Sequence, residues 1–575
     1  MKILGINSEY DGSRNKITCG SCALIIDGKI EIALAEERIS KKKHDGGFKE
    51  AYNHIMKRYK LQPEDIDYFC ISFYANPLIA EDDLVQLHLK EFGIIDYPEK
   101  LIVVPSHHLS HAYAAYFLSP FNEAIIMVAD NEGSLLYPKY KTGDELYNNY
   151  YERNSYYWAR GNSISLIERD FEKPGSVGFG KAYNKFNRYI GLGNYLSVGK
   201  TMGLSSYGVL SDEMREIDLW NIDENGKLIS KMHDTNNAYI DVPNFFKKYG
   251  IDLPNDRSDN SDIMYETQLF KNLAFFVQDQ LNKWSVKKIN NLKERIGINN
   301  VCISGGVALN GIMNREIEEK ANVNTFVPPY SSDPGQALGN AIYGYISKMG
   351  LDHNIKMSKV RFNDFTYLGT IYSEEEIKDE INNYKGECDI QITYPENIYE
   401  FVAKKLKEGK ILGWYQGRSE YGARALGNRS IIATPTSITI RDRVNKLKGR
   451  ELFRPVAPSV LKEYAHDFFE NSNSNLDPYM LKVTYVKDIK KELIEGVVHV
   501  DGTARIQTVT KEQNPKYHDL IYEFYKLTGI PLIINTSFNA AGDPIVESVT
   551  DAINSFLKMN LDGLVCNNVY IERKV

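Results

Sequence analysis

The sequence predicts an α/β (α+β) protein built from two units. Short apolar runs alternate with amphipathic stretches from end to end, as at Ile3–Ile6, Ser21–Ile26, Lys100–Val104, Ala124–Ala129 and Asn300–Ile303, the pattern of layered strands and helices. A chain of 575 residues exceeds what one hydrophobic core usually organises. Polarity rises over residues 351–396, and fresh strand and turn signals begin at Lys410-Ile-Leu-Gly-Trp-Tyr-Gln. The expected domains are therefore 1–358 and 359–575, with 359–396 as the joint.

Apolar residues make up 43% and charged residues 25% of the chain, which excludes disorder and fibrous repeats. Lys+Arg of 69 against Asp+Glu of 76 leaves a net charge of -7, with no electrostatic footprint for nucleic acid or anionic lipid. Small-molecule chemistry leads. Six scattered cysteines make no disulfide framework and point to a reducing compartment, and the single Cys19-Gly-Ser-Cys22 spacing reads as ordinary thiols. The N-terminal run Met1–Ile6 has no basic leader, and no apolar stretch reaches the ~18 residues of a membrane span. A cytoplasmic protein without membrane partners is expected, with a homodimer left open.

Taken in order, Ile3–Asn7 followed by Asp11-Gly12-Ser13 resembles Ile125–Asp130 followed by Glu132-Gly133-Ser134. Each reads as a buried strand emptying into an acidic, small-residue turn, and a duplication of this kind fits a ligand held between two lobes. Tyr147-Asn-Asn-Tyr-Tyr with Tyr156-Tyr-Trp reads as a polar loop or lid, and Ser373-Glu-Glu-Glu as the capped start of a solvated helix.

Chemistry concentrates in a few places. Ser106-His107-His108-Leu-Ser-His111 follows a strand-like run and opens a helical pattern. His107 and His111, at i and i+4, share one helix face and can address one ion, whereas His108 faces elsewhere. Carboxylates should complete the site from strand ends. Asp130 ends one strand, and Asp333 precedes a helix start; for each the alternative is an N-cap or turn role. A mixed N/O ligand set suits Fe(II), Zn(II) or Mn(II) as a Lewis acid. Ser304-Gly305-Gly306-Val-Ala-Leu-Asn310 reads as a strand, glycine pair and helix whose backbone can approach a nucleotide. Gly199-Lys200-Thr-Met-Gly reads as a second glycine turn, its lysine able to hold a phosphate or carbonyl oxygen.

In the second unit, Gln416–Ser430 packs Arg418, Arg424 and Arg429 among glycines. Guanidinium forks grip phosphate bidentately. Asn445, Lys448, Arg450, Glu451 and Arg454 follow, then His499–Arg505, then Asn535-Thr-Ser537-Phe-Asn539. These clusters describe a polyanion pocket in an acidic protein, against the alternative of structural salt bridges.

Together these motifs resemble the O-carbamoyltransferases of antibiotic and nodulation-factor biosynthesis, including the tobramycin and cephem enzymes, over nearly the whole chain. Ala35-Glu-Glu-Arg38 with Lys43-His44-Asp45, His107–His111, Gly199–Leu204, Gly305–Asn310, Gln416–Ser430, Glu451–Ser459, His499–Arg505 and Asn535–Asn539 carry the likeness. It implies an N-terminal Kae1-like domain on the duplicated actin-like/Hsp70-like (ASKHA) core and a C-terminal YrdC-like α/β twisted-sheet domain. The YrdC-like domain would turn carbamoyl phosphate and ATP, with its Mg(II), into carbamoyl adenylate and pyrophosphate. The Kae1-like domain would pass the carbamoyl group to a hydroxyl of a small molecule and release AMP, which implies an internal channel for the labile intermediate.

By the same resemblance, His107, His111, Asp130 and Asp333 hold the metal, usually iron(II). Gly305, Gly306 and Asn310 meet the nucleotide. Arg418, Arg424, Arg429, Lys448, Arg454 and Arg505 meet the triphosphate and carbamoyl phosphate, with Asn535 and Ser537 on phosphate or ribose. Asp11, Lys43, His44 and Lys200 join the catalytic candidates. Two departures stand out. Tyr10-Asp11-Gly12-Ser13 replaces a usual His-Asp segment, leaving the general base to Tyr10, Asp11 or His44, and Gly422-Ala423-Arg424 replaces Gly-Pro-Arg. The rivals are a tRNA threonylcarbamoyladenosine-type enzyme, disfavoured by the lack of a basic stripe, and an ASKHA-type kinase or chaperone, which leaves the arginine-rich unit unexplained.

Overall fold

The computed structural model describes residues 1–8, 19–72, 81–134, 151–170, 176–235, 237–254, 266–349, 359–362, 365–385 and 390–574. It is a mixed α/β protein in two compact units. Residues 1–29, 46–48 and 56–363 form the first unit, and residues 30–45, 49–55 and 364–575 the second. Residues 30–45 and 49–55, expected in the first domain, thus fold with the second. Hydrogen bonding shows why: Ala33 N–H donates to the Leu368 carbonyl, and buried Arg38 reaches the carbonyls of Val546, Glu420 and Gly422.

The first unit repeats one strand pattern. Lys2–Asn7 pairs antiparallel with Ser21–Ile26, the next strand in the chain, and parallel with Tyr68–Ser72, which continues to Leu101–Val103. Glu123–Ala129 likewise pairs antiparallel with Asn154–Arg160 and parallel with Asn300–Ser304, which continues to Asn324–Phe326. Both central strands are almost entirely buried. They read as unbroken apolar runs because both of their faces are covered.

Two helices matter for the site. The histidine helix, His107–Leu118, starts at Ser106, whose hydroxyl caps the Leu109 N–H. The helix Gln336–Lys348 packs against it so closely that a Cβ on Gly339 would lie 2.1 Å from the Ser110 carbonyl. Tyr156 and Tyr157, read as part of a lid, are instead buried on the strand Asn154–Arg160, whose first four residues are covered on both faces. Tyr147–Tyr150 lie outside the described residues, and Tyr151 forms no part of that strand. Gly199–Ser205 is a helix rather than a glycine turn.

The second unit holds an eight-stranded sheet among the described residues. At its centre Arg429–Ala433 pairs antiparallel with Leu532–Ser537, which pairs antiparallel with Ala457–Leu461, itself parallel to Gln507–Val509. The register sets Ser430 opposite Ser537, Ala457 opposite Asn535, and Ser459 opposite Gln507. The segments that enter three strands therefore meet the end of a fourth on one sheet edge. Arg424, Arg454 and Arg505 lie in those entering segments. Among the described residues Cys19, Cys22, Cys70, Cys302 and Cys566 form no disulfide, and no helix is long and apolar enough to cross a membrane.

Candidate functional site

In the first unit, His107, His111, Asp130 and Asp333 converge, with one ligand atom from each lying within 4.8 Å of the others. His111 Nε2 is 3.3 Å from Asp130 Oδ2 and 3.4 Å from Asp333 Oδ1, and His107 Nε2 is 3.5 Å from Asp333 Oδ1. Helical periodicity aligns the histidines, the end of Glu123–Ala129 delivers Asp130, and the short turn Asp333–Gly335 before Gln336–Lys348 delivers Asp333.

Burial opposes every charge in this cluster, and opposite neighbours outweigh it. Asp130 and Asp333 lift His107 to about 10 and raise His111, while the imidazoles hold both carboxylates below their ordinary range. His111 Nε2, Asp130 Oδ2 and Asp333 Oδ1 are nonetheless buried without hydrogen-bond partners. Two imidazole nitrogens and two carboxylate oxygens, three of them orphaned and all aimed inward, fit a divalent transition metal that would take the place of the imidazolium protons. Behind them, Gln336 Nε2 lies 3.1 Å from the His107 ring nitrogens and Ser304 Oγ 3.4 Å from His111 Nδ1. His108 stands apart, with Nδ1 2.7 Å from Ser155 Oγ.

Gly305 and Gly306 lie beside this cluster. Gly305 has φ +86°, and a Cβ there would approach the Ala129 carbonyl to 2.2 Å; one on Gly306 would sit 3.2 Å from Asp130 Oδ1. Only glycine lets the backbone come this near at a left-handed φ.

In the second unit, a cationic cluster forms on the sheet edge. Lys448 is buried and donates to Asn539 at 2.7 and 3.0 Å and to the Ser537 carbonyl. Arg450 reaches Thr536 Oγ1 at 3.2 Å and Ser537 Oγ at 3.4 Å. Burial, reinforced by the Arg454 charge, pushes Arg424 down to about 10 and Arg450 to about 9. Burial and the charges of Arg450, Arg454 and Lys43 hold Lys448 well below the usual lysine range, and burial with Arg424, Arg450 and Arg454 does the same to Arg505. Glu451, 3.8 Å from Arg454, opposes part of this charge. Burial and like charge thus act together against protonation of these side chains.

The chain matches the family model described as carbamoyltransferase N-terminus over residues 83–342 and that described as carbamoyltransferase C-terminus over 403–573. Nodulation protein NolNO of Sinorhizobium fredii is 31% identical across 96% of this chain and 79% of its own length. The chain belongs to the carbamoyltransferase family. Uncharacterized protein MJ1051 of Methanocaldococcus jannaschii is also 31% identical, over 96% of this carbamoyltransferase and 98% of its own length. Full-length HypF in its phosphate- and nucleotide-bound form aligns at 13% identity over 61% of this chain and 56% of its own, with a TM-score of 0.37, too loose a likeness to bear on the site.

Other expected residues of the carbamoyltransferase are distributed differently. Arg418 donates to the carbonyls of Gly369 (2.8 Å), Leu368 (2.9 Å) and Glu31. Arg429, fully buried, donates to those of Gln416 (2.7 Å), Asn428 (2.9 Å), Glu547 (3.1 Å) and Gly417 (3.2 Å), its guanidinium 3.7 Å above the Tyr415 ring. Expected on polyphosphate, both instead bind backbone carbonyls, Arg418 tying the loop to residues 31, 368 and 369 and Arg429 tying its two ends to each other and to residue 547. Glu420 completes that framework by accepting the N–H groups of Leu426, Asn428 and Arg429.

Asn310, expected on a nucleotide, caps the helix Gly311–Lys320 and pairs with Gln278. Asn535 spends its amide on Ala425, Ser459 and Gln507, whereas Ser537 faces Lys448 and Arg450. Lys43 and His44 fold with the second unit, where Glu37 lies 3.3 Å from Lys43 Nζ and accepts the His44 N–H at 2.8 Å. Lys200 is half-buried on its short helix. Asp11, like Tyr10, lies outside the described residues. Arg450 joins the cluster although the resemblance does not imply a phosphate role for it; its place in the sequence between Lys448 and Arg454 is the signal that points to it.

Proposed function

We propose that this enzyme is an ATP-dependent O-carbamoyltransferase with two half-reactions, adenylate formation in the second unit and carbamoyl transfer in the first. The observation that carries the reading is the cluster of cations Arg424, Lys448, Arg450 and Arg505 beside Arg454, with Lys448 and Arg450 both held against Ser537 and each of the four disfavoured first by burial and then by neighbouring positive charge. Cations desolvated together are stable when a polyanion joins them, and ATP with carbamoyl phosphate supplies one. The repeated sheet pattern supports an actin-like core for the first unit, and the sheet carrying the arginine loop supports a YrdC-like second unit.

Atom balance sets the steps. Carbamoyl phosphate yields carbamate and inorganic phosphate with one water; a carbamate oxygen attacks the α-phosphorus of ATP, and pyrophosphate leaves with its Mg(II). The acceptor hydroxyl then attacks the carbamoyl carbon, its proton passes to a base, and AMP departs. Lys448, Arg450 and Arg454 would neutralise the departing pyrophosphate, acting by position and charge as phosphate chemistry requires. Gly305 and Gly306 would let the backbone approach AMP beside Asp130. Fe(II), or Zn(II) or Mn(II), would be held by His107, His111, Asp130 and Asp333 and would supply Lewis acidity toward a phosphoryl or carbamoyl oxygen.

The acceptor is a small hydroxyl-bearing molecule, since a net charge of -7 offers nothing to a nucleic acid. Free thiols and the use of ATP fit a cytoplasmic setting. The test is pyrophosphate release from ATP: carbamoyl phosphate should support it, and threonine with bicarbonate should not. The reverse result moves the enzyme to the tRNA-modifying branch, and release with neither substrate overturns adenylation.

A further inference from the structure

The two histidines and Asp130 come from different elements, and something must hold those elements in register. Glu152 has its side chain fully buried in the first unit. Its Oε1 accepts the Ser106 hydroxyl at 2.6 Å and lies 3.0 Å from Arg169 Nε. Its Oε2 accepts the backbone N–H of Ser134 at 3.1 Å and of His108 at 3.3 Å. The Glu152 backbone exchanges hydrogen bonds with Gly133 and Ser134 at 2.8 and 3.0 Å. Ser134 Oγ in turn accepts the His107 N–H at 2.9 Å, and Ser106 Oγ the Leu109 N–H at 3.1 Å.

The first three N–H groups of the histidine helix, which no helical carbonyl can reach, are thus satisfied by Ser134, Glu152 and Ser106. A carboxylate at this end also complements the helix dipole. Since residues 130–134 form the turn that begins with Asp130, one buried anion ties the helix bearing His107 and His111 to the segment bearing their carboxylate partner.

We propose that Glu152 is a positioning residue of the metal centre, pre-setting the histidine helix against the Asp130 turn so that ligands from both converge. This rests on the metal reading above. Partners behind the ligands typically govern metal affinity by about tenfold to about a hundredfold, because a site tolerates displacements of only about 0.5 Å.

The test uses the full chain stripped of metal and titrated with Co(II), reading affinity and the visible absorption spectrum. Glu152→Gln keeps the volume but turns a donor toward donors. It should weaken Co(II) binding by about tenfold to about a hundredfold and alter the spectrum, while pyrophosphate release in the second unit persists. Ser134→Ala, which removes the acceptor for His107, should shift both readouts less and in the same direction, and decides the matter if Glu152→Gln does not fold. Tyr116→Phe removes hydrogen bonds to Asn122 and Gly161 nearer the far end of the same helix and should cost stability without moving Co(II) binding. Wild-type affinity and spectrum in both Glu152→Gln and Ser134→Ala, or equal weakening in Tyr116→Phe, overturns the positioning role. Absence of Co(II) binding by the wild-type protein overturns the metal centre itself, and this role with it.

Discussion

Lys448 donates to both oxygens of Asn539, the carbonyl at 2.7 Å and the side-chain oxygen at 3.0 Å. The ammonium is therefore fixed by the segment leaving Leu532–Ser537 rather than swinging on a flexible stem, and its direction is set before any ligand arrives.

Half-reactions should separate by mutation. Lys448→Met and Arg424→Ala should each slow carbamoyl-phosphate-dependent pyrophosphate release by about tenfold to about a hundredfold, the worth of a charged hydrogen bond. His111→Ala should leave that release largely intact while abolishing transfer to the acceptor. Equal loss of both activities in every variant would defeat the division of labour.

Arg429→Ala should act on stability. Four carbonyls lose a donor; that of Asn428 keeps the Gln416 N–H and that of Glu547 the Tyr415 hydroxyl, and leaving those of Gln416 and Gly417 unsatisfied costs about 3 kcal/mol or more. Urea denaturation of the full chain should show the second unit melting earlier, and an unchanged midpoint would refute the framework role.

Pyrophosphate alone should stabilise the second unit. At a hundredfold excess over its Kd, binding to the folded state adds about 2.7 kcal/mol, visible as a rise in melting temperature that fades with salt. The double variant Arg450→Ala/Arg454→Ala should show no rise. A rise of wild-type size in that variant would place the anion elsewhere.

Lys359 should give the first unit a pH signature. Its ammonium donates to the carbonyls of Ser119 (2.6 Å) and Phe121 (2.9 Å). Burial drives its pKa down to about 7; buried Cys302 opposes the shift and Arg361 adds to it. A free lysine titrates near about 10.4, so between these values the unfolded chain carries a proton that the folded one lacks. Stability from this group is complete above about 10.4 and is lost as pH falls to about 7. Unfolding free energies at pH 7 and pH 9 should differ less in Lys359→Met than in the wild type, and equal differences would refute the assignment.

Periodicity made some of this legible. The i, i+4 spacing alone puts His107 and His111 on one face, because helical geometry is local. Asp130 and Asp333 were visible as strand-end and helix-start residues, but their meeting depends on how strands 123–129 and 300–304 pair, which no local pattern reveals. Arg418, Arg424 and Arg429 look alike in sequence. They differ in the structure because Glu420 gathers the N–H groups of Leu426, Asn428 and Arg429, while the carbonyls of Gln416, Gly417, Asn428 and Glu547 face the Arg429 guanidinium. Lys43 and His44 stand out in the sequence as chemistry-bearing, but that they pack with residues 364–575 depends on tertiary hydrogen bonds such as those of Arg38, which no local pattern reveals. Glu152 carries no motif, and its four acceptor contacts exist through long-range packing alone.

The return of residues 30–45 and 49–55 to the second unit has a practical corollary for protein engineering. Chimeras made by a single splice near residue 364 would inherit a C-terminal half whose Arg418 meets a foreign backbone at position 31 and whose Glu420 and Val546 carbonyls depend on the side chain that the other parent carries at position 38. Recombination among relatives should succeed when both early segments travel with the far half of the gene, so sequence swaps need four junctions more than a linear map suggests, or two if residues 46–48 travel with them.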